Sequence, residues 1–180
     1  MTGRFIAVVG PSGVGKDSVM RAMAGVAPHM VLARRVITRP ADAGGEDFDG
    51  VTEDQFDQML VDDAFVLSWP AHGLRYGIPR AIQDDLRGGR DVLANLSRTV
   101  LYDAARLFDP FRVILLQTAP HVLQTRLNTR GREDAAEITR RLAQADFTLA
   151  PDLNPIVIDN TGALSKTVSA ALQALHPERA

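Results

Sequence analysis

The stretch that decides the fold is Gly10-Pro11-Ser12-Gly13-Val14-Gly15-Lys16-Asp17-Ser18. It follows an apolar run at residues 5–9 and precedes a helical pattern that carries Val19, Met20, Met23 and Val26. Strand, glycine-rich loop and helix in this order are the context in which a G-x-x-x-x-G-K match marks a phosphate-binding loop. Glycine suits such a loop because it adopts positive φ freely and lets the backbone approach a phosphate closely.

The chemistry of this loop follows from its backbone. Successive N–H groups point into one concavity, and the helix that follows adds its positive N-terminal end. Lys16 supplies a mobile positive charge for the outer phosphates. The alternative is a glycine turn that only joins a strand to a helix, and the lysine and the flanking pattern argue against it. We therefore expect residues 10–18 to bind a nucleoside triphosphate.

The residue after the lysine departs from the usual motif. A serine or threonine there would ligate Mg²⁺ through its hydroxyl, whereas this chain has Asp17, followed by Ser18. Asp17 either only complements the helix dipole in the first turn or binds the metal through its carboxylate, directly or through water. Asp17 and Ser18 are therefore the candidate metal ligands.

Composition limits the class of protein. The 180 residues, 46% hydrophobic and 23% charged, are typical of one globular domain with a core of its own. A net charge of −2 argues against a nucleic-acid or anionic-membrane partner. The absence of cysteine excludes disulfides and thiolate metal sites. Without a signal-peptide pattern or an apolar run of about 18 residues, we expect a soluble cytoplasmic protein.

Strand-like and helical segments alternate along most of the chain. Predicted strands at 5–9, 91–95, 112–117 and 155–159 are separated by helical patterns, among them 78–86, 135–149 and 164–175. This alternation predicts an α/β fold with a parallel sheet flanked by helices, whose ligands bind beyond the carboxyl ends of the strands. Residues 31–77 break the alternation, so we expect a single domain with a core at 1–30 and 78–180 and an inserted subdomain for a second substrate.

Arginines gather in the last third of the sequence. Arg130 and Arg132 lie in a polar interruption, and Arg140 and Arg141 lie on the next predicted helix. Phosphoryl transfer needs positive charge around the transferring group, and the planar fork of arginine binds phosphate bidentately. On a lid at about residues 128–138, such arginines would arrive only when the site closes. Their spacing is equally consistent with surface charges paired to the neighbouring acids.

The whole chain resembles the guanylate-kinase-like branch of small P-loop kinases. The marks that carry this resemblance, besides residues 10–16, are Thr38-Arg39-Pro40, His72-Gly73, Tyr76-Gly77, Arg126-Leu127, Arg130-Gly131, Arg141-Leu142 and Asp159-Asn160. Within that branch it is most similar to the ribose 1,5-bisphosphate phosphokinases of phosphonate catabolism. The sequence segments that support this similarity are Gly15-Lys16-Asp17-Ser18, residues 36–46, residues 71–79, Asn95-x-Ser97-Arg98 and residues 130–133.

Departures from guanylate kinase agree with this choice. That family reads guanine with a carboxylate before the tryptophan, where this chain has Ser68 before Trp69. It also has an Asp-x-Asp tract where this chain has Asn95, and Asp17 is our candidate to restore the lost charge. A site without partners for a buried base edge discriminates against that base. The resemblance therefore implies the P-loop nucleoside triphosphate hydrolase fold, ATP as donor with Mg²⁺, and a small sugar bisphosphate as acceptor, converted to 5-phospho-α-D-ribose 1-diphosphate.

The resemblance also implies roles for individual residues. Lys16, Arg130 and Arg141 would surround the transferring group, with Arg39 on an acceptor phosphate. The weaker candidates for the sugar bisphosphate are Arg35, Tyr76, Ser97 and Arg98, and Asn160 and Thr161 would border adenine. His72 is either structural or a ligand contact, whereas Trp69, Phe65 and Phe56 are expected in the core.

Two alternatives remain at this stage. The first is guanylate kinase itself, and the second is a non-catalytic guanylate-kinase-like binding module, against which the intact loop argues. The sequence leaves the oligomeric state open, with a homodimer as one expectation.

Overall fold

A computed structural model of the chain describes residues 2–40, 47–130 and 148–176, and of Arg130 the backbone alone. The strands are β1 Phe5–Val9, β2 Met30–Leu32, β3 Arg35–Ile37, β4 Phe48–Gly50, β5 Phe65–Ala71, β6 Leu74–Pro79, β7 Asp91–Asn95, β8 Phe111–Gln117 and β9 Ile156–Asp159. The α-helices are α1 Lys16–Val26, α2 Glu53–Val61, α3 Ile82–Arg87, α4 Leu101–Leu107, α5 Pro120–Arg130 and α6 Leu164–Leu175.

A five-stranded sheet in the order β2-β7-β1-β8-β9 forms the centre of the fold. The pairs β2–β7 and β8–β9 are parallel, as the alternation of strands and helices predicts. All of β1 and most of β7 are buried. Strands buried on both faces are typical of parallel sheets covered by helices, which explains their continuous apolar runs. The predicted α/β class is therefore confirmed.

The chain divides into two compact units, of which the first is Met1–Ile6 with Pro28–Phe111. This unit holds a second, four-stranded sheet in the order β4-β3-β6-β5. Strands β5 and β6 form an antiparallel hairpin, and β3 pairs with β6 antiparallel and with β4 in parallel. Phe56, Phe65 and Val36 pack as its core. Helix α2 begins after the N-cap residue Thr52, which forms a capping box with Gln55.

A part-buried ion pair between Arg4 and Asp91 links two segments of this unit. The carboxylate of Asp91 accepts hydrogen bonds from the Arg4 backbone N–H at 2.7 Å and from Arg4 Nε at 3.0 Å. Burial acts to raise the pKa of Asp91, but the Arg4 hydrogen bonds and charge outweigh it, so the pKa lies below the ordinary value. Asp91 is therefore ionised wherever the protein is folded near neutral pH.

Two features of this unit differ from the sequence expectation. The predicted helix at 78–86 is wrong at its start, because Ile78 and Pro79 end strand β6, opposite Leu67 and Phe65, and α3 begins at Ile82. Pro79 is tolerated at the end of the strand because no ladder hydrogen bond needs the N–H that proline lacks. Strand β4 was missed, because three residues with a glycine carry no local strand signal.

The second compact unit comprises Ala7–Ala27 and Arg112–Ala180. Helices α1 and α6 pack against each other in this unit, burying Met23 of α1 and Val168 of α6 among others. The predicted helix at 135–149 lies almost wholly outside the described residues, and residues 148–149, which are described, are not helical. Within the described ranges, no helix combines the length and the apolar character needed to span a membrane.

Candidate active site

The predicted phosphate loop lies in the second unit, between β1 and α1. Gly10, Gly13 and Gly15 all have positive φ, at 148°, 87° and 101°. A Cβ on Gly10 would lie 2.5 Å from the Leu116 carbonyl oxygen, so the loop needs glycine there for space as well as for conformation. Gly15 is the N-terminal cap of α1, so the end of the loop merges with the positive end of the helix.

Lys16 is the first residue of α1, and its side chain folds back over the loop. Its ammonium Nζ donates to the Gly10 carbonyl at 2.9 Å and to the Pro11 carbonyl at 3.2 Å. Next along the helix, Asp17 is half-buried and Ser18 is exposed. Carboxylate and hydroxyl oxygens are donors that Mg²⁺ accepts, so the two side chains fit the metal that a triphosphate brings. Their role as ligands stays a prediction.

The back of the loop is held by residues from α5 and from the end of β9. The Val14 carbonyl accepts from Arg126 Nη1 at 3.0 Å and from Asn160 Nδ2 at 2.7 Å. Arg126 Nη2 also donates to the Asn160 carbonyl at 2.9 Å. The Asn160 side chain is completed by Thr167, whose hydroxyl donates to Oδ1 at 2.7 Å. The sequence placed Asn160 beside adenine and missed this role, and the adenine contact stays a prediction.

Next to Asn160, the side chain of Thr161 links two loops. Its hydroxyl donates to the Asp159 carboxylate at 2.6 Å and accepts from the Ala119 N–H at 3.0 Å. The contacts link the loop between β8 and α5 to the loop between β9 and α6. Both loops follow the carboxyl ends of parallel strands, where ligands bind in such folds.

The first unit brings together three of the four predicted sugar-bisphosphate residues. Arg35 is 7% exposed, and its guanidinium donates to the Asn95 carbonyl at 2.9 Å and lies 5.3 Å from the centre of the Tyr76 ring. The Tyr76 ring stacks on Trp69, whose indole N–H donates to the Ser97 hydroxyl at 2.9 Å. Arg35, Tyr76, Trp69 and Ser97 thus form one stack, which we call the Trp69 stack.

The remaining predicted residues of this unit have other surroundings. Arg98 follows the stack and is exposed at the start of a short 3-10 turn. His72 is exposed at the tip of the β5–β6 hairpin, with φ of 53°, which indicates a turn residue. Trp69, Phe65 and Phe56 are buried, as expected. Trp69 has a further role that its burial alone did not indicate, because it orients Tyr76 and Ser97.

A pocket of about 360 Å³ opens in the same unit, lined by residues 38–40, 50–53 and 55. Arg39, predicted to hold an acceptor phosphate, contributes to its wall, and its guanidinium lies 4.2 Å from the centre of the Phe48 ring. The neighbouring Thr38 is fixed by two hydrogen bonds with the Arg75 backbone, at 3.0 Å and 2.9 Å. Arg39, the residue predicted to bind a phosphate, therefore follows a backbone position that is held in place by hydrogen bonds.

Arg75 offsets the acidic side of this pocket. Its guanidinium bonds the Asp57 carboxylate at 2.6 Å and the Glu53 carboxylate, on the pocket wall, at 3.2 Å. The hydrogen bond that Arg75 donates to Asp57 is the main cause that raises the pKa of Arg75 above its ordinary value. Because the charge of Glu53 is paired, it repels an anion in the pocket less than a lone carboxylate would.

The other predicted phosphate-binding arginines lie outside the described residues. Helix α5 ends at Arg130, whose side chain is not described, and Arg132, Arg140 and Arg141 fall between the described ranges. The lid at 128–138 and the roles of Arg130 and Arg141 therefore stay predictions.

Comparisons with known proteins show which family the chain belongs to. No family model matches the sequence. A ribose 1,5-bisphosphate phosphokinase PhnN of Ruegeria sp. is 51% identical over 99% of this chain and 94% of its own length. A protein of the same name from Pseudomonas paraeruginosa is 45% identical over 100% and 99%. Among solved structures, guanylate kinase from Anaplasma phagocytophilum covers 99% of this chain and 87% of its own, with a TM-score of 0.65. At 16% identity that likeness concerns the fold alone, which it confirms.

Proposed function

Because the chain belongs to the family of ribose 1,5-bisphosphate phosphokinases, we propose that it transfers the γ-phosphoryl group of ATP to ribose 1,5-bisphosphate. The observation that carries this proposal is 51% identity to such a protein over 99% of the chain. The glycine conformations of the loop and the position of Lys16 support the donor half of the reaction.

The proposed chemistry joins two phosphates. An oxygen of the C1 phosphate attacks the γ-phosphorus of ATP, a new P–O–P bond forms, and the bond to ADP breaks. The product is 5-phospho-α-D-ribose 1-diphosphate. Because a phosphate monoester has a second pKa of about 6, the attacking oxygen is already ionised at neutral pH and needs no general base. Catalysis then rests on positioning and on charge neutralisation.

The donor side is assigned to the phosphate loop. The backbone N–H groups of residues 10–18 bind the phosphates, and the Lys16 ammonium exchanges its loop carbonyls for the outer phosphate oxygens when ATP enters. When bound, Mg²⁺ would neutralise phosphate charge, and Asp17 and Ser18 are the side chains we assign to it. Arg130 and Arg141 would complete the cationic surroundings of the transferring group.

The acceptor side is assigned to the first unit. Arg39 would hold one phosphate of the sugar in the pocket, and the Trp69 stack would present Arg35 toward the other. Ser68, which stands where a guanine-binding carboxylate is expected, is exposed and uncharged, and the indole N–H of Trp69 already bonds Ser97. These features support a small phosphorylated sugar and disfavour guanosine, as do the names of the relatives.

We further propose that the protein acts in the cytoplasm, in phosphonate catabolism, without a nucleic-acid or membrane partner. The net charge of −2 supports the absence of electrostatic attraction to polyanions. The homodimer expected as one option stays a prediction.

One experiment tests the reaction. The purified protein is incubated with ATP and Mg²⁺ and with either ribose 1,5-bisphosphate or GMP, and ADP release is followed alongside ³¹P NMR. We expect ADP release with the sugar, accompanied by two coupled diphosphate signals in addition to those of ADP, and negligible release with GMP. Rapid phosphorylation of GMP with none of the sugar would show that the acceptor is a nucleotide. ATP hydrolysis without acceptor is subtracted from both reactions.

A further inference from the structure

We propose that Arg126, Asn160 and Thr167 are positioning residues that hold the Val14–Gly15 peptide so that the Gly15 N–H faces bound phosphate. We call these three side chains the loop brace. The inference rests on the proposed use of ATP and is independent of the acceptor.

The argument begins with the rigidity of the peptide bond. In a trans peptide the C=O and N–H groups point in opposite directions within one plane. The Val14 carbonyl and the Gly15 N–H belong to the same peptide, so whatever fixes the carbonyl also aims the N–H. The Val14 oxygen accepts two hydrogen bonds, from Arg126 at 3.0 Å and from Asn160 at 2.7 Å. Both of its lone pairs are therefore in use.

A brace is needed here because glycine is flexible. Gly15 adopts φ of 101°, and without a Cβ it has little intrinsic preference for that conformation over others. A peptide flip between Val14 and Gly15 would turn a carbonyl toward the phosphates and repel them. The two hydrogen bonds oppose that flip, since both must break before the peptide can rotate.

The orientation of Asn160 is set by Thr167. A carbonyl oxygen only accepts hydrogen bonds, so the amide NH₂ of Asn160 must face Val14 and its Oδ1 must face Thr167. The Thr167 hydroxyl donates to that oxygen at 2.7 Å. Asn160 and Thr167 are 3% and 2% exposed, so this pair is shielded from water. Thr167 can therefore influence ATP binding without lying on the surface that ATP meets.

Arg126 uses its planar fork to span two carbonyls. Its Nη1 bonds Val14 and its Nη2 bonds the Asn160 carbonyl at 2.9 Å, which links the loop to the end of β9. Lysine keeps the positive charge but lacks the fork. The Arg126→Lys variant therefore separates the geometry of the brace from the attraction between a cation and phosphate.

The test measures binding of Mg-ATP and of inorganic tripolyphosphate by calorimetry for Arg126→Lys and Thr167→Val. We expect about tenfold weaker binding for Arg126→Lys and about threefold weaker binding for Thr167→Val. The loss should be equal for both ligands, because the brace acts on the phosphate cradle. In steady-state kinetics the KM for ATP should rise while the KM for the acceptor stays unchanged.

Matched controls are available in the chain. Thr125→Val also removes a threonine hydroxyl, but an exposed one that donates to the His121 carbonyl of its own helix. Arg106→Lys changes an exposed arginine paired with Asp103. Both controls should bind like the unmodified chain. If Thr167→Val unfolds, the pair Thr167→Ser and Thr167→Ala replaces it, and only the serine, which keeps a hydroxyl, should retain binding.

Each outcome decides the matter. Binding unchanged in the brace variants overturns the inference, and so does a loss confined to ATP, which would assign these side chains to the nucleoside. If the unmodified chain binds neither ligand, the proposed use of ATP falls and the brace with it.

Discussion

The phosphate loop and the Trp69 stack are two different ways of building the sites that we propose for phosphorylated ligands. The loop is made of consecutive residues, whose glycines and following helix create the binding surface from the backbone. The stack is made of side chains from four separate places, and its Arg35 bonds a carbonyl 60 positions away in the sequence. A backbone site depends on conformation that a short motif encodes, whereas a side-chain site depends on packing that no short motif describes.

The largest effect on activity is expected at the phosphate loop, when the positive charge of Lys16 is removed. Lys16→Met should lower kcat by about 10²–10³-fold, because a preorganised cation near the transferring phosphoryl group is lost. Steady-state kinetics with ATP and ribose 1,5-bisphosphate measure it. Lys166→Met, an exposed lysine on α6, is the matched control and should leave kcat unchanged. Equal activity of Lys16→Met and the control would remove the loop from the mechanism.

The framework that carries the stack depends on Asp91. Asp91→Asn should lower the free energy of unfolding by about 3 kcal/mol at neutral pH, because the Arg4 guanidinium loses the negative charge of Asp91. Since the folded pKa of Asp91 is depressed, its contribution is present above the ordinary value of 3.8 and is lost as pH falls through the folded pKa.

Urea unfolding of both proteins should therefore show a gap at about pH 7 that narrows below about pH 4. Asp103→Asn, which alters an exposed pair with Arg106, is the control and should change stability by less than about 1 kcal/mol. A gap that does not depend on pH would mean that the packing of Asp91, and not its charge, is what stabilises the unit.

The metal hypothesis concerns the junction of loop and helix. Asp17→Ser should raise the Mg²⁺ concentration for half-maximal activity about tenfold, if the carboxylate holds the ion directly or through water. Asp54→Ser provides the comparison, because Asp54 is an exposed acid in the first turn of α2. An unchanged Mg²⁺ dependence would leave Asp17 with only the helix dipole to complement.

The smallest effect on activity is expected from a substitution in the Trp69 stack. Ser97→Ala should raise the KM for ribose 1,5-bisphosphate about fivefold with kcat nearly unchanged, because Trp69 loses its hydrogen-bond acceptor and the stack loosens. Trp69→Phe removes the donor of the same bond, and the double variant should add little to either single change. Full additivity would instead indicate that Ser97 contacts the sugar independently of Trp69.

Sequence reasoning predicted the features that depend on neighbouring residues. The strand-loop-helix order around residues 10–18 and most strands and helices are confirmed, since each follows from spacing within one or two turns of chain. Short motifs spread along the chain predicted the family, and the similarity to known members confirms that prediction. The end of β6 was predicted wrongly, because Pro79 reads locally as a helix start and only its partner Phe65 shows it to be in a strand.

The amino-acid sequence by itself determined the phosphate loop, because glycine conformation and a helix start are local properties that a few residues encode. Only the tertiary structure showed which side chains hold that loop from behind and how Arg35, Tyr76, Trp69 and Ser97 pack together. The hydrogen bonds from Arg126 and Asn160 to Val14 span 112 and 146 positions, and neither side chain carries a local mark of its partner. Such contacts follow from how the strands order themselves in the sheet, which is set by the packing of the whole chain.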